Sequence, residues 1–93
     1  IENGIDGATI TKYTFTVPPV SGHSGQDYGR VRGYNIITGQ WDQLDYGTTT
    51  NGITFTRSLS PGIYSKLEMY YYTNHDCMYN KSNITYSVEF YFN

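Results

Sequence analysis

The residues best equipped for chemistry are His75, Asp76 and Cys77, which follow one another directly. A Cys–His nucleophile needs the two side chains to face each other, and neighbours in sequence cannot easily do so. A zinc site needs a second pair of ligands at suitable spacing, and none is present. The tripeptide therefore reads as a solvated loop, and His23 lies in a similar polar loop. Asp42 and Asp45 follow Trp41, with Asp27 upstream. Paired carboxylates can bind calcium or work as acid and base, but no calcium-loop spacing accompanies them. They read as the polar end of a hairpin. No catalytic residue, metal ligand or cofactor site is assigned, and the expectation is a protein that is not an enzyme.

Binding chemistry is better supplied. The chain holds eleven Tyr among 93 residues, and 17% of it is aromatic. Tyr joins a rigid apolar ring to a polar tip and loses little rotamer entropy on contact. Tyr64, Tyr70 and Tyr72 alternate with Leu67, Met69 and Tyr71, so they are expected on the outward face of a strand. Tyr91 is expected on the outward face of the last strand. If those two strands pair, the four rings form one patch, assisted by Trp41 and Tyr34. Trp41 reads either as a platform for a sugar ring or as a core anchor. Arg30, Arg32 and Tyr34 share a strand face, where a guanidinium beside an aromatic ring could stack on a base or sugar. Asn80-Lys81-Ser82 and Asn83-Ile84-Thr85 match the acceptor pattern for N-glycosylation, marking Asn80 and Asn83 in one polar loop.

The elements that must carry these residues are strands. Lys and Glu are scarce, and Thr, Tyr, Ile, Val and Phe suit a pleated, half-buried surface. Residues 9–17 alternate, with Tyr13, Phe15 and Val17 against Lys12, Thr14 and Thr16, until Pro18-Pro19 ends the run. Strand character resumes at Gly29. Thr38-Gly39 separates Tyr34–Ile37 from Gln40–Leu44 as a hairpin signal. Residues 53–59 alternate again, with Arg57 breaking the inward row and expected near the strand end or beside a carboxylate. Ser60-Pro61-Gly62 is a tight turn. Strands follow at 63–73 and 84–92, the last with Ile84, Tyr86, Val88, Phe90 and Phe92 on one side. About six or seven short antiparallel strands fit a small β-sandwich, jelly-roll or Ig-like, with a small barrel as the alternative. Residues 1–93 read as one domain.

The run from Val31 to Tyr72 resembles the bacterial pre-peptidase C-terminal domains and related carbohydrate-binding sandwiches. The likeness rests on Gly33-Tyr34-Asn35, Thr38-Gly39-Gln40-Trp41 and Leu59-Ser60-Pro61-Gly62-Ile63-Tyr64, with Ile84-Thr85-Tyr86-Ser87-Val88 similar to that family's last strand. Those domains commonly carry an aspartate-bearing strand where this chain has Arg30-Val31-Arg32-Gly33, so no calcium site is carried over. The resemblance implies a secreted, non-catalytic accessory module.

Charge and cysteine content set the remaining bounds. A net charge of −2 argues against an electrostatic hold on nucleic acid. No stretch approaches the roughly 18 apolar residues of a membrane span. The single cysteine, Cys77, cannot form an internal disulfide, and its role is open. A start at Ile1 without Met suggests a processed precursor or an excised domain. The expected location is extracellular or on a cell surface, and the expected partner is a polysaccharide or protein polymer. The alternative is a subunit of an extracellular filament or surface layer, its partners identical copies, with residues 1–7 either a strand donated to a neighbour or a frayed end.

Overall fold

The computed structural model describes residues 2–4, 7–18, 27–49, 52–73 and 84–92. Seven strands run in chain order: β1 (Glu2–Gly4), β2 (Ala8–Val17), β3 (Asp27–Asn35), β4 (Gln40–Thr48), β5 (Ile53–Ser58), β6 (Tyr64–Thr73) and β7 (Thr85–Phe92). They form two antiparallel sheets, one ordered β1-β6-β3-β4 and the other β5-β2-β7. The chain is an all-β sandwich. Among the described strands, only β3 and β4 are consecutive and also paired; each other connection between them changes sheet.

Alternation builds the core. Tyr13, Phe15 and Val17 of β2, with Phe55 beside them on β5 of the same sheet, face Val31 of β3 and Leu67 and Met69 of β6, and all are buried. Phe15 and Phe55 stack with centroids 6.2 Å apart. Burying side chains of this size contributes roughly 1.5–3 kcal/mol each.

Three bulges reset the alternation. Thr11 is the extra residue on β2, between the pairs Ile10–Phe90 and Lys12–Glu89. It turns Ile10 into the core, where it is fully buried, although unbroken alternation from Tyr13 would face it outward. Leu44 is the extra residue on β4, between Val31–Asp45 and Arg32–Gln43. Ser65 is the extra residue on β6, between Tyr34–Lys66 and Asn35–Tyr64. The Thr11 and Ser65 bulges lie toward the end of the sandwich where the connection from β5 to β6 touches β2, the Leu59 amide donating to the Thr11 carbonyl and the Gly62 amide to Thr9 Oγ1, whereas Leu44 lies at the middle of β4. Bulges bend and twist the strands that carry them.

Two sequence expectations are corrected. The β3–β4 turn spans residues 36–39 rather than Thr38-Gly39 alone, so Ile36 and Ile37 leave the strand and are exposed. Asn35 holds that turn, its Oδ1 accepting from the amides of Ile37 and Thr38, while Gly39 takes φ +72° and donates to the Asn35 carbonyl. Glu2–Gly4, expected as a donated strand or a frayed end, pairs with β6 of its own chain.

Candidate functional site: an aromatic sheet face

The outer face of the four-stranded sheet is built by register. Across β3 and β6, Tyr28 lies opposite Tyr72, Arg30 opposite Tyr70, Arg32 opposite Glu68 and Tyr34 opposite Lys66. Across β3 and β4, Arg30 also lies opposite Tyr46, and Tyr34 opposite Trp41. Cross-strand partners share a face, so these side chains form one surface. Along β3 it runs from Tyr28 to Tyr34, about 20 Å at strand rise.

The rings are in contact. Tyr28 is the hub, with centroids 4.9 Å from Tyr72, 5.3 Å from Tyr46 and 6.3 Å from Tyr70. Tyr34 meets Trp41 edge-on at 5.5 Å. Cations tie the two aromatic groups together. Arg30 lies 5.1 Å above the Tyr70 ring, Arg32 5.3 Å above Trp41, and Lys66 5.7 Å above Tyr34. Glu68 fixes both arginines: Arg32 reaches its two oxygens at 2.8 and 2.7 Å, and Arg30 reaches one at 3.4 Å. The hydrogen bond from Arg32 outweighs the burial of Glu68 and, with the two guanidinium charges, holds its carboxyl below the usual range. The same hydrogen bond raises Arg32 further. Tyr46, Tyr70 and Tyr72 remain exposed.

The structure reorders the site read from the sequence. Tyr34, Trp41, Tyr70 and Tyr72 come together on this face, and the reading of Trp41 as a core anchor is corrected. Tyr64 does not join them. The Ser65 bulge turns it inward, where its ring covers Gly33; a Cβ on Gly33 would sit 2.7 Å from the Tyr64 ring and 3.0 Å from Leu44. Tyr64 donates to Asp42 at 2.8 Å. Tyr91 is separated by topology, because β7 pairs with β2 and not with β6. It lies on the outer face of the three-stranded sheet, opposite Thr9.

Tyr28 and Tyr46 were missed. Tyr28 continues the two-residue spacing of Arg30, Arg32 and Tyr34, a signal hidden by its glycine-bearing surroundings. Tyr46 shares the outer face with Trp41 only because Leu44 is an extra residue.

Asp42 and Asp45 face the opposite side of β4 and are each engaged. Asp42 accepts from Asn35 at 3.1 Å and from Tyr64. Asp45 accepts from the Tyr13 hydroxyl and takes two hydrogen bonds from Arg57 of the facing sheet, at 3.0 and 3.2 Å. Arg57 thus pairs with a carboxylate, as its place in the inward row suggested. Burial raises Asp45, but the bonds from Arg57 and Tyr13 outweigh it and leave the carboxyl below its ordinary range. Burial, then the bond to Asp45, pushes the Tyr13 hydroxyl well above the usual tyrosine range. Among the described residues, no group of three or more His, Cys, Asp or Glu is placed to hold a metal ion, and no helix is long and apolar enough to cross a membrane. His23, His75, Asp76, Cys77, Asn80 and Asn83 lie outside the described residues.

No family model, no curated protein and no solved structure matches the chain.

Proposed function

We propose that the chain is a non-catalytic extracellular binding module that holds a polysaccharide on the outer face of its four-stranded sheet. The observation that carries this reading is the continuous surface Tyr72–Tyr28–Tyr70–Arg30–Glu68–Arg32–Trp41–Tyr34, in which every ring is braced by a ring or a guanidinium. Sugar rings offer apolar C–H faces to aromatic platforms and hydroxyls to the polar groups between them. Glu68 with Arg32 and Arg30 supplies acceptors and donors at the centre of the face, in fixed directions. A pre-ordered surface loses little side-chain entropy on binding. Contacts of this kind are individually weak, so the module acts by repetition along a polymer. The resemblance to carbohydrate-binding sandwiches supports the same reading.

Affinity electrophoresis through gels containing neutral polysaccharides tests it. The wild-type chain is retarded by at least one polymer, and Tyr70→Ala with Tyr72→Ala weakens that retardation about tenfold, from the loss of two ring contacts. Circular dichroism checks that the double variant keeps its fold. Equal mobility of the wild type and the variant across all gels removes the proposal.

A further inference from the structure

The two sheets have four edges, and three are guarded. β1 is only three residues long. β4 is bulged at Leu44. β5 turns Arg57 inward to Asp45. Short strands, bulges and inward charges are the usual means of blocking edge pairing. β7 has none of them. Its eight residues contain no Pro, Lys or Arg, its register with β2 places the bulge on the other strand, and among the described residues it pairs with β2 alone. Its aromatic side chains are also poorly covered: Tyr86 is 45% exposed, Tyr91 50% and Phe92 62%.

We infer that β7 pairs antiparallel with β7 of a second copy, joining the two three-stranded sheets into one six-stranded sheet. The strand's own sequence selects the register. A two-fold pairing must set even-numbered residues against even, or odd against odd, so that side chains share faces. Centring on Glu89 would oppose two carboxylates. Centring on Ser87 would set Tyr91 and Phe92 against residues 83 and 82, outside the described strand. Centring on Val88 pairs Tyr86 with Phe90, Ile84 with Phe92, Thr85 with Tyr91, and Ser87 with Glu89. Each aromatic ring gains an apolar or hydroxyl partner and no like charges meet. Three half-exposed aromatics and a strand edge from each copy bury on the order of 1,000 Å², the lower limit for a specific interface. The pairing is therefore weak and concentration-dependent.

The two-fold axis stands perpendicular to the joined sheet. Both four-stranded sheets then lie on one side of the dimer, with their aromatic faces turned the same way.

Sedimentation equilibrium from micromolar to millimolar chain, without added polysaccharide, tests the inference independently of any ligand. The wild-type chain dimerises in this range. Ser87→Glu sets two carboxylate pairs across the interface and weakens the dimer about tenfold. Adding Glu89→Lys to Ser87→Glu restores it. Both positions are exposed, and unchanged thermal melting at low concentration shows that the fold is kept. A chain that stays monomeric at millimolar concentration, a dimer indifferent to Ser87→Glu, or an open polymer in place of a dimer overturns the inference.

Discussion

Tyr13 carries more than a core side chain of its size usually does. Its ring is buried between the sheets, and its hydroxyl reaches Asp45, which Arg57 holds from the facing layer. Tyr13→Phe keeps the ring and removes that hydrogen bond, a loss of about 1–2 kcal/mol in denaturant unfolding. The pH dependence follows from the same contact. Folded Tyr13 keeps its proton to higher pH than the unfolded chain does, so the unfolded state binds fewer protons above about pH 10. Stability therefore falls as pH rises through that range. Tyr13→Phe flattens this alkaline loss, and unfolding measured between about pH 9 and 11 reads the difference. The carboxyls act in the opposite direction. Asp45 and Glu68 are lowered on folding, so their contribution is complete above about pH 5 and is lost as pH falls through their depressed values.

At the scale of the strand, Gly33 shows what a single missing Cβ permits. The Tyr64 ring and Leu44 close over it on the inner side of β3, while Arg32 and Tyr34 occupy the outer side. Gly33→Ala drives a methyl into the Tyr64 ring, and the strained contact costs about 1–3 kcal/mol. It also displaces the Tyr64 hydroxyl from Asp42, which thermal unfolding together with tyrosine ultraviolet absorbance detects. An unchanged melting temperature would show that the ring moves aside freely. The strands themselves were legible because alternation is local: Tyr13, Phe15 and Val17, or Leu67 and Met69, announce an inner face from spacing alone. What spacing does not carry is the extra residue. Tyr64 and Lys66 have the same parity, yet Ser65 between them sends them to opposite sides, and Leu44 does the same for Trp41 and Asp45. Bulges arise where two strands must twist differently, and that depends on partners far away in the chain.

For the whole molecule, the pairing of strands decided which expected site residues meet. Tyr91 and Tyr70 read identically in sequence, as outward tyrosines on polar-faced strands. They part because β6 joins β3 while β7 joins β2, a choice made by long-range packing rather than by either strand's pattern. The assembled face also sets how binding responds to salt. Arg30, Arg32 and Lys66 outnumber Glu68 among the described side chains of the face, but a neutral sugar polymer carries no charge for that excess to attract. Polysaccharide retardation should change less than about twofold between 50 and 500 mM NaCl, whereas a phosphate-rich ligand held by counterion release would be lost steeply.

The other broad side of the sandwich has a different character. Thr54, Thr56 and Ser58 of β5, Lys12, Thr14 and Thr16 of β2, and Thr85, Ser87 and Glu89 of β7 stand in three ranks across the sheet, and Thr16 and Thr54 join their hydroxyls at 3.2 Å. A molecule with rings beneath and hydroxyls above has a heads and a tails. Settled on a polymer by its aromatic side, it would turn a mostly hydroxylated lawn to the surrounding water, with Tyr91 the one ring among the described residues of that face, so a second coat would find little to grip.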